Sequence, residues 1–283
     1  MSDGGEPVYQ VLAGVPSSAV VLHVPHGSRA LTAAARRSIL LDDDALAAEL
    51  DQMTDAHTGF LAARAAAAAG RTPWVLENSY SRLVVDPERF PDEREEMRAV
   101  GMAAVYTRTA HGQRLRNEDP ARDETLLAQH YRPYAAAMTD LVDARLAATG
   151  HAVIIDVHSY PSQPLPYELH GDGPRPAICL GTDSFHTPPE LVSAARDAFA
   201  GFGDIELDTP FAGCYVPLKH YRQQPAVTAL MVEIRRDTYL IEPGGPLTNG
   251  IHRLVTALAE LVDAVSAAAP PPDARPVEPG AHR

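Results

Sequence analysis

The sequence predicts an α/β fold, a mostly parallel or mixed central sheet flanked by helices. Three observations predict it. Short apolar runs alternate with longer stretches of helical periodicity. The runs are rich in β-branched residues and nearly free of charge, as strands buried on both faces are. Glycine, proline or aspartate punctuates the boundaries. The chain has 283 residues, 45% of them hydrophobic, enough to bury a real core.

Taken in order, residues 19–24 (AVVLHV) read as a buried strand that ends at Pro25. Residues 31–40 and 45–69 read as helices, the second very rich in alanine. Residues 74–76 and 83–85 are short strand candidates. Residues 121–149 form a long helix stopped by Gly150. Residues 151–157 (HAVIIDV) are the clearest strand, and 177–180 and 226–234 are further strands. Residues 191–199 and 247–268 are further helices. A single domain over 1–268 is expected. The segment 269–283 (APPPDARPVEPGAHR) reads as a proline-rich, disordered tail.

The bulk numbers exclude several partners. A net charge of −13 argues against a nucleic-acid binder, which needs a basic face. Cys179 and Cys214 are the only cysteines, too few for a disulfide framework, and a free pair fits a reducing cytosol. A cytoplasmic location is expected. The first residues show no signal-peptide pattern, and no apolar stretch is long enough to span a bilayer, so no membrane partner is expected.

Ligands of open α/β sheets collect at the carboxyl ends of strands. Three of the expected strands end in reactive residues there. The first runs into His26-Gly-Ser28, the second through Asp156 into His158-Ser159-Tyr160, and the third carries Glu233 and runs into Arg235. Side chains alternate along a strand, so Asp156 lies on the side of His158 and can fix its tautomer, as metal sites require. Two histidines lack one protein ligand of a catalytic zinc site. The segment Asp51-Gln-Met-Thr-Asp55 offers it, because i and i+4 share a helix face. Glu233, inside the apolar run ALMVEIR, must be paired or functional, and burial suits it to general-base work. Arg82 and Arg89 bracket the 83–85 strand and suit a carbonyl or a carboxylate. Each feature alone has a bland alternative: a loop histidine bonded to backbone, an Asp–His surface pair, a capping or solvated acidic pair, surface arginines in salt bridges, or a buried pair of Glu233 with Arg235 or another arginine. Three reactive strand ends on one edge outweigh those alternatives.

In order, HVPHGS, DQMTD, SRLVVDPER, DVHSYP and VEIRRD resemble the N-formylglutamate amidohydrolase family, over nearly the whole chain. That family is similar in fold and chemistry to the zinc carboxypeptidases and aspartoacylases. The resemblance implies one Zn²⁺ per chain, or another divalent ion, held by His26, His158 and a carboxylate, with Asp55 the first choice and Asp51 the second. It implies Glu233 as the base, Arg82 on the scissile carbonyl and Arg89 on a substrate carboxylate. Ser159, Tyr160 and Arg235 are the further substrate-binding candidates. Two departures stand out. Carboxypeptidases place a zinc glutamate three residues after the first histidine, where this chain has Arg29. Relatives commonly read Asn-Arg where this chain has Glu88-Arg89. The expected activity is hydrolysis of a small N-acyl amide. A carboxypeptidase-like peptidase and a metal-free binding protein are the competing expectations.

Overall fold

The computed structural model describes residues 7–169, 171 and 173–268. The expected tail, 269–283, lies outside the described residues. The chain opens with β1 (Tyr9–Leu12) and β2 (Val20–Val24), followed by three helices, α1 (Ala33–Ser38), α2 (Asp43–Met53) and α3 (Thr58–Ala68), and then β3 (Trp74–Asn78). After a long irregular excursion come α4 (Pro120–Leu126), a π turn (Leu127–Tyr131), α5 (Arg132–Thr149) and β4 (Ala152–Tyr160). The remainder is β5 (Ile178–Gly181), α6 (Pro189–Phe199), β6 (Ile205–Leu207), β7 (Val227–Arg235) and α7 (Gly250–Ala268).

The strands form one seven-stranded mixed sheet in the order β1-β3-β2-β4-β7-β5-β6. β3, β2, β4 and β7 run parallel, β1 is antiparallel to β3, and β5 is antiparallel to β7. From β2 the chain passes first to β3 on one side and later to β4 on the other. That reversal makes the carboxyl ends of β2 and β4 a topological switch point, where a crevice opens.

Alternation divides the sheet between two cores. Val20, Leu22, Val153, Ile155, Leu230 and Val232 pack beneath α3, α6 and α7. Val21, Ile154 and Ala229 face α5, where Tyr134, Met138 and Val142 cover them. His23, Asp156, His158 and Glu233 continue the second set, so they rise from the α5 face at the strand ends.

The structure departs from the sequence expectations in four places. The 45–69 helix is two helices, broken at residues 54–57, with His57 at φ 67°. Thr54 caps α2, the Asp55 amide donates to the His26 carbonyl (3.0 Å), and the Thr58 hydroxyl donates to the Asp55 carbonyl (2.8 Å). Gly27 permits this approach, because a Cβ there would lie 2.9 Å from Thr58 Oγ1. Residues 83–85 are no strand; they form a turn whose Leu83, Val84 and Val85 are buried in two small clusters beside the sheet. Their apolar character reports burial, not pairing. Finally, β1 and β6 are edge strands whose side chains are mostly exposed, so no apolar pattern announced them.

Leu254 is fully buried where α7 meets the first core. Leu254→Ala should destabilise the fold by about 2–5 kcal/mol. A shift of the urea unfolding midpoint without a change in slope checks this; no shift would mean that α7 is not integral to the core.

Candidate metal centre and active site

Strand and turn geometry bring three donor atoms together. His26 follows β2, His158 lies on β4, and Asp55 sits in the break between α2 and α3. His26 Nδ1 and His158 Nδ1 are 3.3 Å apart, and Asp55 Oδ2 lies 3.0 Å from His158 Nδ1 and 3.6 Å from His26 Nδ1. A tetrahedral ion with bonds near 2.0–2.1 Å has ligand–ligand edges of roughly 3.3 Å. The triangle therefore has the dimensions of one face of such a site. All three residues are buried, and the cluster can hold a metal ion.

The far side of each donor is anchored. His26 Nε2 lies 2.9 Å from Asp86 Oδ1, and His158 Nε2 lies 2.9 Å from Asp156 Oδ1. With a cation bound, those contacts would keep the ring protons on Nε2 and free both Nδ1 lone pairs for the ion. Asp55 Oδ1 accepts from Arg236 Nη2 at 3.2 Å. The same guanidinium donates to the carbonyls of Gln52 (2.7 Å) and Ser159 (3.2 Å) and to Ser159 Oγ (3.3 Å), tying the end of α2 to β4. The next layer is as firmly held. Asp86 accepts from Arg82 Nη2 at 2.8 Å and from the Tyr106 hydroxyl, and Asp156 is shared with His23 Nδ1 at 2.8 Å and the Tyr215 amide at 3.2 Å.

The electrostatics favour positive charge between the rings. Apart from each other, the imidazoles contact four carboxylates: Asp55, Asp86, Glu88 and Asp156. Burial opposes a charged His158, but Asp156 and Glu88 prevail and raise its pKa well above the usual value. Burial likewise opposes ionisation of Asp55, yet the hydrogen bonds from His158 and His26 hold its carboxyl far below the usual range. Two further groupings, His23–Glu88–Asp156 and His26–Asp86–Glu88, have donors within metal-binding range of one another. Each offers one imidazole and two carboxylates already spent on ring hydrogen bonds. The Nδ1–Nδ1–Oδ2 set is the better match to a catalytic site.

A cavity of about 620 Å³ opens on this cluster. Glu233, directly opposite His158 in the β4–β7 register, lines it, and its Oε2 is buried without a hydrogen-bond partner. Burial pushes the Glu233 carboxyl up to about 8, against the pull of His158, Arg82 and Arg236. Arg82, Arg89, Ser159 and Tyr160 also line the cavity. The Tyr160 hydroxyl, however, is held by the Pro176 carbonyl. Arg89 reaches Asp86 only at 3.5 Å and leaves its buried Nε without a hydrogen bond.

Three sequence expectations need correction. Arg82 and Arg89 do not bracket a strand; they stand on one irregular turn, gathered by Asp86. Asp51 and Asp55 do not share a helix face. Asp51 stays on α2 and pairs with Arg29 Nη1 at 2.5 Å, away from the histidines. Arg235 is not brought to the cavity. Its guanidinium binds Asp237 Oδ1 (2.8 Å) and the Arg175 carbonyl. The strand ends at Arg235, alternation ends with it, and Arg236 turns inward instead. Asp86 and Arg236 carry much of the site and were missed as functional residues. Asp86 had a signal, a lone carboxylate closing the apolar run LVVD.

By fold and by site, the chain is a mixed α/β protein with a buried two-histidine, one-aspartate cluster of metal-ligand type. The profile of the N-formylglutamate amidohydrolase family, a hydrolase family, matches residues 18–240, and the chain belongs to that family. Among solved structures, it is similar to the N-formylglutamate amidohydrolase from Ralstonia eutropha JMP134, with 19% identity, 92% of this chain and 98% of that one covered, and a TM-score of 0.76. It is also similar to a gene product of Agrobacterium tumefaciens, with 18% identity, coverage of 92% and 96%, and a TM-score of 0.63. At these identities the likeness concerns the fold. No curated protein sequence matches the chain. Among the described residues, no helix is long and apolar enough to cross a membrane.

The geometry separates the two aspartates. Asp55→Asn should weaken divalent-metal retention by more than the ~10–100-fold typical of losing an outer partner, whereas Asp51→Asn should leave it unchanged. Metal content after dialysis against graded chelator reads the difference. Equal behaviour of the two variants would remove Asp55 from the donor set.

Proposed function

We propose that the chain hydrolyses a small N-acyl amino acid of the N-formyl class, releasing a carboxylate and an amine. One observation carries the proposal. Two Nδ1 atoms and a carboxylate oxygen converge at tetrahedral-site spacing, beside a buried glutamate whose Oε2 has no partner. His26, His158 and Asp55 would hold the divalent cation, and two histidines with one carboxylate favour zinc. When bound, that cation supplies Lewis-acid activation of the water and of the scissile carbonyl.

The chain's own residues supply the rest. Glu233 takes a proton from the attacking water as the C–O bond forms. It returns that proton to the nitrogen as the C–N bond breaks, so the amine leaves neutral and the acyl carbon leaves as the carboxylic acid, which then releases its remaining proton to water as the carboxylate. Burial raises the pKa of this carboxyl, which strengthens it as a proton acceptor once it is ionised. Arg82, fixed by Asp86, presents a guanidinium to the cavity where negative charge develops on the carbonyl oxygen. Arg89 has a donor to spare and suits a substrate carboxylate, which a planar guanidinium can grip with paired bonds. Family membership supports the N-formyl class of substrate.

Glu233→Gln preserves shape and removes the base. It should keep the fold and the metal while lowering kcat on N-formylglutamate by ~10²–10⁴-fold. A primary-amine release assay on metal-loaded protein measures this. A loss smaller than about tenfold would move the proton-transfer role to another group.

A further inference from the structure

The cavity holds more than the reaction centre. Phe90, Tyr131, Tyr215, Val216, Leu218 and Tyr221 line it together, an aromatic and apolar wall that a small formylated dicarboxylic amino acid cannot cover. A volume of about 620 Å³ lies in the range of pockets that enclose drug-sized ligands. α5 adds Ala135 and Ala136 to the same lining, small side chains that take up little of this arm of the cavity.

The wall is built and not a chance of surface composition. The π turn Leu127–Tyr131 interrupts the α4–α5 helix at this point and ends on Tyr131. Such turns are rare and concentrate at functional sites. Phe90 and Tyr221 meet edge to face with centroids 6.2 Å apart. Tyr215 stacks on His23 at 4.5 Å, and its amide donates to Asp156. Asp156 in turn holds His158. The wall is therefore continuous with the support of the donor cluster, so a group seated on it belongs to a substrate reacting there.

We propose that this arm is a subsite for an aryl-sized apolar group, and that the natural substrate is an N-acyl amino acid carrying such a group next to the scissile amide. The inference rests on the amide-hydrolase reading above and adds the substrate class. Two sources present the same chemistry, an aromatic acyl group or an aromatic side chain on the amino acid.

N-benzoylglutamate and N-formylphenylalanine distinguish those sources, with N-formylglutamate as the reference. On zinc-loaded protein, at least one aryl-bearing amide should exceed N-formylglutamate in kcat/KM by about tenfold or more, as burial of an aromatic ring warrants. Ala136→Phe, which fills the arm from an exposed position of α5, should cut that ratio by about tenfold. Calorimetric binding is measured alongside turnover. If an aryl ligand binds more tightly than N-formylglutamate while none is hydrolysed, the subsite stands and the hydrolase reading fails. If N-formylglutamate is turned over and both aryl compounds bind and react no better, the subsite is overturned and the hydrolase reading survives. If Ala136→Phe leaves the ratio unchanged, the aryl group is seated elsewhere and the assignment to this arm is wrong.

Discussion

The structure turns on two imidazole nitrogens held 3.3 Å apart, Nδ1 of His26 and Nδ1 of His158. Their Nε2 atoms are committed to Asp86 and Asp156. With the ring protons there, both Nδ1 lone pairs would be free for one shared cation. Asp55 completes the demand from a third side. Buried carboxylates are costly unless each finds partners, so every one that supports this centre recruits its own. Asp86 takes Arg82 and Tyr106, Asp156 takes His23 and the Tyr215 amide, and Asp55 takes Arg236. The donor set thus dictates a polar layer that would be senseless without it.

The fold meets this demand with rigid parts. Nine residue pairs of β4 and β7 are in register, which fixes Glu233 beside His158 without reliance on a loop. Beneath them the same face of the sheet becomes the apolar core under α5, so the polar layer rests on packed side chains. The break between α2 and α3 places the last donor. A continuous helix would carry residue 55 along its own axis. The interruption instead lets the Asp55 amide bond to the His26 carbonyl, which locks the two ligands to each other through the backbone as well as through the site.

These differences explain what could be read in advance. The central strands were legible because burial on both faces leaves an uninterrupted apolar signature, as in 151–157 and 226–234. His26, His158 and Glu233 were legible because they punctuate such runs at the edge where α/β sheets bind ligands. The break at 54–57 was not, since alanine-rich periodicity continues across it and the bonds that stop the helix are tertiary. Local propensity fails most often where function overrides it, and here it failed at a candidate ligand. Arg236 was hidden for a related reason. Alternation along β7 points outward from Arg235 and gives no account of the 3₁₀ turn that follows. Residues 83–85 misled in the opposite direction, because an apolar run buried under a turn has the composition of a strand.

Glu88 shows how one side chain can couple the donor cluster to the substrate pocket. Its carboxylate lies 3.2 Å from His158 Nε2 and 3.6 Å from both His26 Nε2 and His23 Nδ1, while it also lines the cavity. A neutral amide at this position would leave those edges with Asp86 and Asp156 alone. A carboxylate adds negative charge behind both ligand rings, which strengthens them as donors and deepens the well for a cation. The same charge stands next to Arg89 and offsets part of its pull on an anionic substrate. In the proposed hydrolase, tighter metal retention and weaker demand for a substrate carboxylate would both follow from this one residue. That balance agrees with a pocket that also carries Phe90, Tyr131, Tyr215 and Tyr221, where apolar contact would supply affinity that a second carboxylate would otherwise provide.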